Sequence, residues 1–336
     1  MIGWRLVERS DVDQADWRLP TDRGEPIMSG IFGWILAILL NPPHEAEMSE
    51  RLAPTGWQGN YWGPEATKAR HDGTMPPIIA TPHMARWDRW GRKVLREGDI
   101  VFRLGDARVG RGYFPMSRFL ARASNSPFSH TGIVAIEEEG PVVYDMTRTS
   151  VNRQPFCVWV LDNIGSIGVE RLRPEYRKAI PTVVGYCRKV FKEQIPFDYL
   201  LSEDDSALYC IEMTEKAFRS AGIELSKPIR LGDMERATEF PVQMFGLRFF
   251  SKYALDRPLT FDQLVYFPGN ERHGIWSAKQ LMVVVPPTFA PGYPDQSTAV
   301  PKGTVRPESG TPTAKKVSSP HSTSDSVSKT TQRTGT

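Results

Sequence analysis

The chain has 336 residues, of which 40% are hydrophobic and 24% charged, with a formal net charge of +3. These are the proportions of an ordinary globular protein, long enough for one large domain or two small ones. The surplus charge lies from Pro286 onward, where six Lys/Arg face three Asp/Glu; the rest is formally neutral, without the basic excess of a nucleic-acid module. Three scattered cysteines, Cys157, Cys187 and Cys210, exclude a disulfide framework and a zinc site, and no metal or other cofactor is expected.

Residues 1–26 are charged and show no clear periodicity. An apolar run follows over 27–40, unbroken from Ile31 to Leu40. It is shorter than the ~20 residues needed to span a bilayer. Its length and the preceding arginines suit a signal-peptide core, but the leader is long and Asn41-Pro42-Pro43 stands where a small-residue cleavage site belongs. Met28 is an alternative start. Export or attachment to a membrane or cell envelope through 27–40, and a buried or interfacial helix, both stay open. Residues 41–90 are rich in Pro, Gly, Trp and His and read as an extended segment wrapped on a core, with Trp57, Trp62, Trp87 and Trp90 as anchors. His44, His71 and His83 have no partner at metal-ligand spacing and read as surface histidines. Residues 1–90 are thus an N-terminal extension.

The folded domain is expected over 91–285. A Gly98-Asp99 turn leads into a first strand over Ile100–Leu104. The glycines of 105–112 lack the Lys-Ser/Thr of a phosphate-binding loop and read as a loop near the site. Met116, Phe119, Leu120 and Ala123 recur at helical spacing, and Ser124–Pro127 ends that helix. Two strands, His130–Ile136 and Val142–Met146, flank the four-residue loop Glu137–Gly140. If Ile136 faces Pro141, then Gly132 faces Asp145, and His130 and Asp145 fall diagonally on one face; a one-residue slip would part them. Strands are read at Phe156–Leu161, which contains Cys157, and at Gly168–Leu172. Pro181 opens a helix whose buried face is Val183, Val184, Cys187, Val190 and Phe191. Cys210 begins another, with Met213, Ala217, Phe218 and Ala221 inward and Gly222 closing it. A last buried strand spans Leu281–Val285, and 286–336 has too few large apolar residues to fold, so a disordered tail is expected.

Cys210 and His130 are the residues on which chemistry can be built. A cysteine attacks as thiolate, and a helix N-terminus and a nearby imidazolium both favour that form. The imidazole would protonate the leaving group and then activate water. Asp145 would fix its tautomer, with Asp198 as a rival third member. Backbone N–H groups at Cys210 would hold an oxyanion, and Tyr209 and Ser129 are candidate oxyanion or supporting residues.

Gly98-Asp99-Ile100-Val101-Phe102-Arg103, Ser126-Pro127-Phe128-Ser129-His130-Thr131-Gly132-Ile133, Phe197-Asp198-Tyr199 and Tyr209-Cys210-Ile211-Glu212-Met213 resemble, in that order, the landmarks of YiiX-like cysteine hydrolases. These are permuted papain-fold proteins of the NlpC superfamily, related to lecithin retinol acyltransferase. The resemblance spans roughly 97–225 and includes the family's order of histidine before cysteine. It implies an α+β, circularly permuted papain-like fold: an antiparallel or mixed sheet or small barrel, with helices on one side that include the Cys-bearing helix. It also implies Cys210 as nucleophile, His130 as general base and Asp145 as orienting group. Two positions depart from the pattern. Ile211 stands where the family often has Ser, and Asp145 where it often has Glu. The implied activity is hydrolysis or transfer of an acyl group, from a cell-wall-type peptide or a lipid, through a Cys210 thioester. A binding module that retained the fold without catalysis is one alternative and predicts a Cys210 that is buried or distant from His130; an envelope-associated structural protein, in which the N-terminal helix and the tail do the work, is the other.

Overall fold

Six strands make one sheet, in the order Val151–Pro155, Gly140–Met146, His130–Glu137, Ile100–Arg103, Ser166–Leu172 and Leu281–Phe289, and every adjacent pair is antiparallel. The structure, a computed structural model, describes residues 48–289 apart from 56, 109–114, 148, 203, 255–258 and the side chains of 249–254 and 289. The apolar run at 27–40 and nearly all of the expected tail lie outside the described residues. The strands are β1 (Ile100–Arg103), β2 (His130–Glu137), β3 (Gly140–Met146), β4 (Val151–Pro155), β5 (Ser166–Leu172), β6 (Ile229–Arg230), β7 (Leu264–Val265) and β8 (Leu281–Phe289), with β6 and β7 forming a separate ribbon. The helices are α1 (Pro64–His71), α2 (Pro82–Val94), α3 (Met116–Ala123), α4 (Phe156–Trp159), α5 (Ile180–Glu193), α6 (Cys210–Arg219) and α7 (Pro241–Ala254).

Alternation along the strands sorts the sheet into two faces. Ile100, Phe102, Ile133 and Ala135 point one way and pack with Val183 and Val184 of α5 and Met213 and Phe218 of α6. Val101, Val134, Val143 and Val169 point the other way and pack with Trp62, Met84, Trp87 and Trp159. Helical layers therefore cover both faces, not one, because the N-terminal extension supplies the second. That extension is not simply extended. Thr81 caps α2 by accepting from Met84 N–H at 3.2 Å, Pro82 occupies its first turn, and Met84, Trp87, Gly91 and Val94 form its buried stripe. His83 in the same helix accepts from Trp87 Nε1 at 3.1 Å, whereas His71 is exposed beside Asp72.

Four further points differ from the reading of the sequence. Phe156–Leu161 is not a strand: β4 ends at Pro155, α4 follows, and a 3₁₀ turn spans Val160–Asp162. The run Phe-Cys-Val-Trp-Val-Leu is apolar throughout, and a short run of that kind carries no period that separates a strand from a buried helix. The missed strand β4 reads Val-Asn-Arg-Gln-Pro; as an edge strand it tolerates polar residues, and Asn60 clamps it by donating to Ser150 Oγ and Asn152 Oδ1. β8 continues four residues past Val285 despite Pro286 and Pro287. It is the opposite edge, and the register shifts at that point, between Val285 opposite Val169 and Thr288 opposite Ile167, the setting in which a sheet accepts proline. Helix α7 was not expected; it packs Met244 and Leu247 with Phe119, Leu231 and Val265 in a third cluster.

Candidate active site

His130 is the first residue of β2, and the segment before it is pinned at several points. Ser126 Oγ accepts from Phe128 N–H at 3.0 Å and donates to Gly269 O at 2.5 Å. Phe128 is wholly buried between Phe102 and Trp276, with ring centroids 5.2 and 4.9 Å away. Ser129 N–H donates to Arg103 O, and Ser129 Oγ accepts from Gly105 N–H at 3.0 Å. Ser129 is therefore a brace for the loop after β1.

The hairpin closes with Glu137 opposite Gly140, so two residues form its turn rather than four, and Ile136 faces Pro141. That register sets Asp145 diagonally across from His130, and His130 Nε2 lies 2.7 Å from Asp145 Oδ2. The same oxygen accepts from Trp159 Nε1 at 2.8 Å, while Asp145 Oδ1 is buried without a partner. Arg103, paired with His130 across β1 and β2, brings its guanidinium to 3.9 Å from Asp145 and 4.4 Å above the Trp159 ring. Asp198 is not at this site. It accepts from Leu200 N–H and Ser202 Oγ and shapes the loop before α6.

Cys210 arrives from the other face of the sheet. The lead-in is held where Leu208 bridges Phe197 and donates to Pro196 O. Tyr209 is extended (φ −108°, ψ 167°), and Glu212 Oε2 accepts its N–H at 3.4 Å while Oε1 lies 2.9 Å from Lys216 Nζ. Burial raises the Glu212 carboxyl to about 7. The Tyr209 hydroxyl accepts from Tyr266 N–H at 2.6 Å, and burial keeps that phenol protonated far above its usual range. Thr131, one residue after the histidine, donates to Cys210 O at 3.3 Å and meets Thr214 Oγ1 at 2.9 Å. This tie fixes the start of α6 against the start of β2 and sets the Cys210 thiol beside the His130 ring, whose proton affinity it raises. With Nε2 directed to Asp145, Nδ1 is the nitrogen left for sulfur. Burial is the largest influence on the imidazole and lowers its pKa, and Arg103 lowers it further; Cys210 and Asp145 together more than offset both, leaving the ring at about 9. Cys210 is 7% exposed, against 2% for Cys157 and 0% for Cys187. Burial pushes both of those thiols up to about 12.

Residues 94–283 match the family described as "Permuted papain-like amidase enzyme, YaeF/YiiX, C92 family". The chain belongs to this family. It is similar to the uncharacterised protein YiiX of Escherichia coli (strain K12), 22% identical over 193 residues that cover 56% of this chain and 84% of that protein. It is also similar to a solved structure described as metalloprotein yiiX from Escherichia coli O157:H7, DUF1105, with 22% identity, a TM-score of 0.46, and coverage of 60% of this chain and 99% of that one.

In this C92-family domain, no group of three or more His, Cys, Asp or Glu among the described residues is arranged to hold a metal ion. An open cleft of about 480 Å³, lined by Leu225, Ile229, Phe267 and His273, follows the far end of α6 and shares no residue with the Cys210–His130 pair. Arg103, Trp159, Thr131 and Thr214 were not singled out from the sequence. A threonine beside the histidine and another four residues after the cysteine were the only local signal for the last two.

Gly132 allows the His130–Asp145 approach. A methyl group there would overlap the Val143 side chain and come within 3.2–3.3 Å of Tyr144 O and Asp145 Cβ. Gly132→Ala is expected to cost about 1–3 kcal/mol, the range for overpacking a core, and to displace Asp145 from the ring. A thermal melt would show the first effect. A loss of Cys210 reactivity beyond that of an equally destabilised core variant would show the second.

Proposed function

We propose that the chain is a cysteine hydrolase that cleaves an amide or ester bond through a thioester on Cys210. One observation carries this reading: His130 Nε2 lies 2.7 Å from Asp145 Oδ2, and Cys210 at the start of α6 lies close enough to the same ring to raise its pKa, which stands at about 9. A binding module that merely retained the fold has no need of that arrangement. The Cys210 thiolate attacks the carbonyl carbon, and the oxyanion forms beside the N–H groups at the start of α6, which have no partner within the helix. His130 gives its proton to the departing amine or alcohol as the C–N or C–O bond breaks. Water then attacks the thioester; His130 takes its proton, the acid leaves, and the thiolate is restored. Asp145 keeps the ring in one orientation throughout. Tyr209 and Ser129 support the backbone that carries the two reacting groups. The family's description as amidases favours an amide bond, of the kind found in cell-wall-type peptides; a lipid amide or ester is open to the same steps, and an acceptor other than water would make the reaction a transfer.

An acyl probe aimed at thiols tests this. Peptide mapping is expected to place the label on Cys210 alone, since the other two thiols are buried and titrate near 12. Equal labelling of Cys157 or Cys187 would refute the assignment. The pH profile adds a second check. The His130 pKa is raised, from 6.5 to about 9, so the imidazolium is complete below 6.5 and is lost as pH rises through about 9. Turnover is expected to fall along an alkaline limb centred near 9, and the stabilisation from the thiolate–imidazolium pair is lost over the same interval. A profile flat to pH 10 would contradict the protonated ring.

A further inference from the structure

Behind the Asp145–His130 pair, away from the cysteine, lies a second buried charge cluster that the proposed chemistry does not use. Arg103 is 2% exposed. Its guanidinium stands between two buried carboxylates, with Nη2 3.9 Å from Asp145 Oδ2 and Nη1 3.5 Å from Asp162 Oδ2. Nη1 also donates to Trp159 O, and Nε has no partner. Asp162 is itself fixed by Ser49, whose N–H donates to Oδ1 at 3.0 Å and whose hydroxyl donates to Oδ2 at 2.5 Å. Trp62 Nε1 donates to Ser49 O at 3.2 Å. Ser49 and Trp62 lie ahead of the family-matched region, which begins at residue 94.

A buried cation shared by two anions divides its field between them. If Asp162 did not hold Arg103, the guanidinium would be free to close on Asp145 and compete with the imidazole for Oδ2. We propose that Arg103, held off by Asp162, is a positioning residue that sets how strongly Asp145 holds the His130 imidazolium. This rests on the proposed role of His130, but it concerns the resting protein. Among the described residues, the charged or titratable groups facing the ring are Cys210 from α6, Asp145 from β3 and Arg103 from β1; Trp159 from α4 lies against it without charge, at 6.0 Å between centroids. Arg103 acts on the ring as a like charge and lowers its proton affinity.

Two substitutions in this cluster are therefore expected to move His130 in opposite directions. Arg103→Gln removes the like charge and should raise the His130 midpoint by about one pH unit. Asp162→Asn releases the guanidinium toward Asp145 and should lower the midpoint by about half a unit or more. The readout is the pH titration of the His130 ring by NMR, alongside the pH dependence of Cys210 alkylation by iodoacetamide, in the full chain. Neither requires a substrate, so failure of the hydrolase reading would appear separately, as normal titration without turnover. Arg103→Lys keeps the charge and controls for folding; it should restore most of the wild-type midpoint. A merely structural Arg103 would lower the melting temperature in all three variants and leave the midpoint in place. Unchanged midpoints in folded Arg103→Gln and Asp162→Asn, or shifts of the same sign in both, would overturn the proposal.

Discussion

Cys210→Ala is expected to abolish turnover and acyl-probe labelling while leaving the fold intact. The thiol sits at the first position of α6, where its backbone has already left the extended conformation of Tyr209 and entered the helix. Alanine suits that helical position, and only one small atom is lost, so the stability cost should stay within about 1 kcal/mol. The expected rate is that of the uncatalysed background, because no other described thiol can substitute: Cys157 and Cys187 are buried and protonated at any working pH. The measurement is hydrolysis of a panel of peptide amides and lipid esters by purified wild type and variant, with far-UV circular dichroism confirming the fold. Turnover surviving in a folded Cys210→Ala protein would end the thioester mechanism.

Asp145→Asn is the second large effect, and its cause differs. Asp145 Oδ2 accepts two hydrogen bonds at once, from His130 Nε2 and Trp159 Nε1, and its charge is the nearest anion on that side of the ring. Asparagine has no charge to offer, and its amide group presents donors where His130 and Trp159 also present donors. Either the ring turns or its tautomer changes, and the nitrogen facing sulfur no longer carries the proton the leaving group needs. Loss of the acid in a Ser–His–Asp triad lowers kcat by about 10⁴ through this tautomer effect, and a fall of about 10³–10⁴ is expected here. Arg103 would keep Asp162 as its counter-charge, so the protein should fold with a lower melting temperature. A loss under tenfold would place the orienting role elsewhere.

The parts of this fold that were legible carry a local mark, either a turn between two apolar runs or an apolar stripe at helical spacing. β2 and β3 are short apolar runs on either side of an acidic turn, and pairing them about that turn sufficed to set Asp145 diagonal to His130. α5 and α6 carry apolar stripes at helical spacing and were read at nearly their observed lengths. Elements without such a mark were misread. Phe156–Leu161 is apolar at every position, so nothing local distinguished a strand from the helical turns that bring Trp159 over the ring. β4 was left unassigned because an edge strand held by Asn60 has no need of apolar residues. Arg103 was passed over for another reason. An arginine at the end of a strand usually marks the surface, and its burial depends on Asp162, 59 positions later, and on Ser49, 54 positions earlier. No window along the sequence contains all three.

The N-terminal layer also has a practical consequence. It covers a whole side of the sheet with Trp62, Met84 and Trp87, and it clamps β4 through Asn60. A fragment trimmed to the boundary of the amidase family, starting at residue 94, would bare the valines of that side to water and leave an uncovered edge. It should precipitate or associate, even though it would hold every residue assigned to the reaction. The residues proposed for the reaction and the residues needed to cover the sheet would then have different boundaries.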